Sequence, residues 1–106
     1  MAAYLIFTRE RMRDEAEYEI YKEKARVAGQ GHHFIPHVQY GKFEVLEGPD
    51  AQGVVVLEFA SAAEAKAYYN SPAYIEARKY RQLGADYRVI LVEGITRQDK
   101  KPVPNA

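Results

Sequence analysis

The sequence predicts an α+β domain in which helices cover one face of a four-stranded antiparallel sheet, and three observations carry that expectation. Residues 54–57 and 89–92 are apolar at successive positions, as strands buried on both faces are. Asp14 with Glu17, and Ser61 with Glu64, are capping signatures that each open a stretch with helical spacing. The segments alternate as β-α-β-β-α-β within 106 residues, a length that holds one core.

Taken in order, residues 4–8 are aromatic and branched and end at the charged Arg9, which predicts strand 1. From the Asp14 cap a helix follows, with Tyr18, Tyr21, Ala25 and Ala28 forming a stripe that can lie on a sheet while Ile20 and Val27 face away. Gly29 and Gly31 end it, because glycine accepts the left-handed conformation of helix C-termini. Residues 33–47 lack helical periodicity and contain Pro36 and Gly41, so they predict one long, bent or bulged strand. The turn-forming residues 48–53 join it in a hairpin to residues 54–59. The second helix opens at Ser61, and Asn70-Ser71-Pro72 breaks it in two, since serine caps and proline suits the first helical position. Its second half runs to Leu83 before Gly84, and residues 87–93 form the last strand. Residues 1–95 therefore make the domain, and the polar, proline-containing residues 96–106 are expected to be a flexible tail. This is the element order of ferredoxin-like domains, and right-handed crossovers place both helical segments on one side of the sheet. The other side stays bare yet apolar, which predicts a homodimer packed sheet on sheet.

Composition narrows the function. Fifteen basic and fifteen acidic residues cancel, so net charge gives no footprint for nucleic acid or an anionic membrane. The absence of cysteine excludes disulfides, thiolate nucleophiles and cysteine-ligated metals. The N-terminal apolar stretch is too short for a signal core or a membrane span, which leads to the expectation of a cytoplasmic protein. No phosphate-binding glycine loop, dinucleotide fingerprint, nucleophile elbow or zinc-protease motif occurs.

The candidate chemistry is therefore sparse. His32, His33 and His37 cluster, but on an extended strand His33 and His37 stand about 13 Å apart, too far for one metal. His37, furthest into its strand, is the candidate proton acceptor by its intrinsic basicity. Glu58 lies within an apolar strand and needs a partner. It is either an acid or base with a raised pKa or half of an ion pair with Arg78 or Arg81. Tyr68, Tyr69, Tyr74 and Tyr80 line a pocket between helix 2 and the sheet or else fill the core. Arg9, Arg11 and Arg13, interleaved with acids, read as a solvated stretch, and Glu47 and Glu93 as strand-end residues.

Val55-Val56-Leu57-Glu58-Phe59, Tyr69-Asn70-Ser71-Pro72-Ala73-Tyr74, Val89-Ile90-Leu91-Val92-Glu93-Gly94 and the earlier Leu46-Glu47-Gly48 together resemble the domain of unknown function family 1330. The likeness runs from about Tyr4 to Gly94. It implies a dimeric α+β barrel whose relatives include cofactor-free monooxygenases, lactone isomerases, haem-handling proteins and ligand-sensing domains. The chain departs from the family around strand 2, where Gly31-His32-His33 and His37 replace a Gly-Gly and a following Arg. The expected function is binding, or cofactor-free transformation, of a small, largely apolar organic molecule between sheet and helices. In that reading His37 accepts a proton, while Glu58 and Arg78 or Arg81 orient the ligand. The alternatives are a non-catalytic structural or stress-related dimer with a filled interior, and a haem-handling protein with a histidine as axial ligand.

Overall fold

The computed structural model describes residues 1–95. The chain runs β1 (Ala3–Met12), α1 (Glu15–Ala28), β2 (Ile35–Gln39), β3 (Gly53–Phe59), α2 (Ala62–Tyr69), α3 (Pro72–Gly84) and β4 (Ala85–Glu93). The strands form one antiparallel sheet in the order β2-β3-β1-β4. The expected tail, residues 96–106, lies outside the described residues.

Local signals set the helix starts. The Asp14 carboxylate accepts from the amides of Ala16 and Glu17 at 3.1 and 3.3 Å, and the Ser61 hydroxyl from Glu64 at 3.1 Å. The Ser71 hydroxyl accepts from Tyr74 at 3.2 Å, with Pro72 next in the chain, so the second helix is broken where expected. The end of α1 differs from expectation in one detail. Gly29 keeps a right-handed conformation (φ −72°) and the left-handed turn comes at Gly31 (φ +85°).

Side chains alternate across the sheet. Leu5 and Phe7 of β1, Leu57 and Phe59 of β3, and Ala65, Tyr68, Tyr74 and Ala77 of the helices make the core. Register puts Val56, Ile6 and Ile90 in one row on the opposite, helix-free face. There Ile90 and Val92 remain 43% and 44% exposed. At its far end α3 meets the start of α1, where the Gly84 carbonyl accepts from the amides of Arg13 and Asp14 at 2.8 and 2.9 Å. A Cβ on Gly84 would sit 2.7 Å from the Tyr18 amide nitrogen, so only glycine permits this approach.

The long strand expected over residues 33–47 is instead five residues, followed by an irregular connection to Gly53. Pro36 has no amide proton for the ladder, and the β2–β3 register shifts between Pro36 and Val38, where His37 forms a bulge. Tyr40 then takes a left-handed conformation (φ 56°), which no strand continues through. The hairpin pairing of β2 with β3 is present.

Candidate functional site

Because α1 packs along α3, it leaves a gap above β3 and β2. A cavity of about 540 Å³ opens there. Phe7, Val55 and Leu57 form its floor, Tyr18, Tyr21 and Ala25 of α1 one wall, and Phe34, Tyr40 and Tyr68 the other sides. Lys22, Arg26, Gln30 and Gln39 contribute polar groups. The two cations are already paired within α1, Lys22 with Glu19 at 2.9 Å and Arg26 with Glu23 at 2.6 Å. The lining therefore combines six aromatic rings with aliphatic floor residues and locally balanced charge, which suits an apolar ring.

At one end of the cavity three phenols meet. Register places Tyr87, Arg9 and Gly53 side by side across β4, β1 and β3, and Tyr40 adjoins through its amide bond to the Val54 carbonyl at 2.9 Å. Gly53 leaves room for the Tyr40 ring, since a Cβ there would lie 2.4 Å from its Cδ1. From α1 the Tyr18 hydroxyl donates to Tyr40 at 2.8 Å and accepts from Tyr87 at 2.9 Å, while Tyr40 and Tyr87 are hydrogen-bonded to each other. The Arg9 guanidinium lies 5.3 and 4.9 Å from the ring centres of Tyr18 and Tyr40. Burial, reinforced by the bonds with Tyr18, pushes the Tyr40 and Tyr87 phenols well above their ordinary pKa, so both are neutral at physiological pH. Behind this group Tyr21 and Tyr74 share a hydrogen bond of 2.9 Å, and burial raises both of them as well.

The four expected catalytic residues fall in two places. His37 Nε2 and Glu58 Oε1 are 2.7 Å apart, and the imidazole centre is 6.3 Å from the Tyr4 ring, on the helix-free face of the sheet. Neither residue lines the cavity. The expected pairing of Glu58 with Arg78 or Arg81 is corrected, because both arginines are on the helix side. Arg78 lies 4.4 Å above the Tyr69 ring and donates to the Tyr69 carbonyl at 3.4 Å. Arg81 is only 4% exposed, enclosed by Phe7 and Tyr87, and donates to the Tyr69 hydroxyl at 3.4 Å. Its Nε and Nη1 are buried without hydrogen-bond partners among the described residues. Burial alone would raise the Tyr69 phenol, but the hydrogen bond and charge of Arg81, aided by Arg78, outweigh it and hold its pKa below the usual value.

Of the tyrosines singled out in the sequence, Tyr68 lines the cavity, Tyr74 supports it from behind, and Tyr80 lies under Lys24 outside it. His32 sits edge-on to Tyr68, and His33 is exposed. Among the described residues no group of three or more His, Cys, Asp or Glu could hold a metal ion. The sequence reading missed Arg9, Tyr40 and Tyr87 as a group, since only sheet register brings them together.

The model of a family described as a domain of unknown function, DUF1330, matches residues 2–95. The chain belongs to the DUF1330 family. A protein of unknown function from Rhodopseudomonas palustris is 23% identical, superposes with a TM-score of 0.67, and is matched over 90% of this chain and 83% of that one. SnoaB from Streptomyces nogalater, described as a cofactor-independent oxygenase, shares 8% identity over 93% of this chain and 98% of its own, at TM-score 0.63. A Bacteroides fragilis protein described as dimeric, with a ferredoxin-like fold, shares 14% identity over 88% of this chain and 96% of its own, at TM-score 0.57. These likenesses establish the ferredoxin-like fold. No curated protein matches the sequence. No helix among the described residues is long and apolar enough to cross a membrane.

Proposed function

We propose that this DUF1330 protein binds a small, largely apolar, ring-bearing organic molecule in the cavity between α1 and the sheet, and that it does so as a homodimer joined through the helix-free sheet faces. The observation that carries the binding reading is the cavity itself: a 540 Å³ space floored by Phe7, Val55 and Leu57 and walled by tyrosines, in a domain whose filled-interior alternative requires no such space. The haem alternative needs a histidine facing the barrel as axial ligand, and among the described residues this cavity is lined by none, His32 and His33 lining a separate space of about 130 Å³. For self-association the support is the row of Val56, Ile6 and Ile90 on a bare face, continued at the edge by Ile35 at 56% exposure. The description of the Bacteroides neighbour as dimeric agrees.

In this reading the residues expected from the sequence take other roles. His37 and Glu58 belong to the interface, where a hydrogen-bonded pair can be covered without stranding either partner. Arg81 positions Tyr69 instead of touching ligand. The cofactor-free transformation suggested by SnoaB's description would be carried out on a molecule held against the Tyr18–Tyr40 end of the cavity.

Filling the space tests the proposal. Ala25→Phe projects a ring from α1 into the cavity, and equilibrium dialysis of naphthalene against wild type and variant reads the outcome. Binding to the wild type and at least tenfold weaker binding to a folded Ala25→Phe supports the reading. Undiminished binding to the variant, or none to the wild type, overturns it.

A further inference from the structure

The protons of the phenol ring can be counted. A phenol has one proton to donate and accepts through oxygen lone pairs. Tyr87 gives its proton to Tyr18, and Tyr18 gives its own to Tyr40. In the third bond, between Tyr40 and Tyr87, the proton of Tyr87 is already committed, so Tyr40 is the donor. The ring is closed, and all three protons are spent inside it. Only lone pairs remain for anything outside, and two of the three oxygens, those of Tyr18 and Tyr40, belong to residues that line the cavity.

We infer that the phenol triad at this end of the cavity, where the neighbouring Lys22 is held by Glu19, is an acceptor-only recognition element, selecting a ligand that presents a hydroxyl or N–H to it, such as an aromatic or enolic alcohol, over an ether or carbonyl of the same shape. The inference rests on the proposed reading of the cavity as a ligand site and adds to it the polarity of the ligand's functional group. The selection has a clear physical basis. An ether or carbonyl oxygen facing lone pairs gains no hydrogen bond there and loses those it had with water, whereas a hydroxyl exchanges one partner for another.

The same count yields a reversal. Tyr40→Phe removes the acceptor of the Tyr18 proton, so Tyr18 turns from a pure acceptor into a free donor. Tyr87→Phe does the same to Tyr40. Each change removes a hydroxyl and keeps the ring that fills the space.

Calorimetric titration with four probes, naphthalene, 1-naphthol, 1-methoxynaphthalene and 1-naphthaldehyde, tests the inference on wild type and both variants. In the wild type, 1-naphthol should bind about tenfold more tightly than the ether or the aldehyde. In Tyr40→Phe, or in Tyr87→Phe should the first variant fail to fold, that advantage should disappear and 1-naphthaldehyde should gain. Equal binding of alcohol and ether to the wild type, or an alcohol preference unchanged in the variants, overturns the inference while leaving the cavity reading intact. Failure of all four probes to bind the wild type overturns both.

Discussion

Replacing Ile90 with glutamate should separate the proposed dimer into folded monomers. Ile90 lies beside Ile6, which in turn lies beside Val56, at the middle of the helix-free face. It is 43% exposed in the isolated protomer. Burying a whole isoleucine side chain is worth about 1.5–3 kcal/mol, so covering the exposed part contributes about 1 kcal/mol. A twofold interface counts the residue twice, giving about 2 kcal/mol for the pair. A carboxylate at the same place adds a desolvation penalty of several kcal/mol per ion unless it finds a partner. The sum exceeds about 5 kcal/mol, and at 1.4 kcal/mol per factor of ten this weakens association by more than about a thousandfold. Ile90→Val, which removes about one methylene per copy or about 1.6 kcal/mol for the pair if fully covered, should shift it by no more than about 15-fold. Sedimentation velocity at micromolar concentration reads the assembly, and circular dichroism confirms that the protomer stays folded. A wild type that sediments as a monomer, or an Ile90→Glu variant that stays dimeric, would refute the assignment of this face.

Three other perturbations follow from the geometry. Gly84→Ala would put a methyl 2.7 Å from the Tyr18 amide nitrogen and 3.0 Å from the Asp14 carbonyl, and because these are backbone atoms the α1 start must move. We expect a loss of about 1–3 kcal/mol in chemical denaturation, and an unchanged midpoint would contradict the close approach. Stability should also fall at alkaline pH. Tyr21, Tyr40, Tyr68, Tyr74 and Tyr87 have phenol pKa values raised chiefly by burial, so their contribution is complete below the unfolded value of about 10 and is lost as pH rises beyond it. Tyr69, held low, works in the opposite sense, adding stability above about pH 10 that is lost as pH falls through its folded value. One group against five leaves a net decline, and thermal melts that stay flat above pH 10 would contradict the burial of these phenols. Arg81→Met removes a buried cation that has no carboxylate partner among the described residues and should leave stability equal or higher, while near-ultraviolet titration shows Tyr69 ionising later. A marked loss of stability with Tyr69 unmoved would contradict the positioning role.

Much of the fold was legible because its signals are local. Asp14, Ser61 and Ser71 cap helices through bonds to amides two or three residues ahead, and such bonds depend on little beyond the neighbouring sequence. Strand 2 was not legible in the same way. Its early end depends on the left-handed conformation of Tyr40, whose ring is accommodated by Gly53 on the neighbouring strand. The site was harder still. Arg9 read as part of a solvated charged stretch, and Tyr40 and Tyr87 are 47 positions apart. They meet because strand order puts β1 between β3 and β4 and register aligns Gly53, Arg9 and Tyr87. Glu58 illustrates the reverse case. Its need for a partner was evident from its apolar surroundings, but the face it occupies favours His37 over any arginine of α3, and that depends on the bulge after Pro36.

The central claim is that ligand enters between α1 and the sheet and not on the bare sheet face. Amide chemical-shift mapping of the isotope-labelled protein during titration with 1-naphthol tests it most directly. The account predicts shifts concentrated at Gly29, Gln30, Gln39, Tyr40, Val55 and Leu57, around the cavity. Shifts centred instead on Ile6, Val56, Glu58 and Ile90, or no localised shifts at saturation, would contradict it.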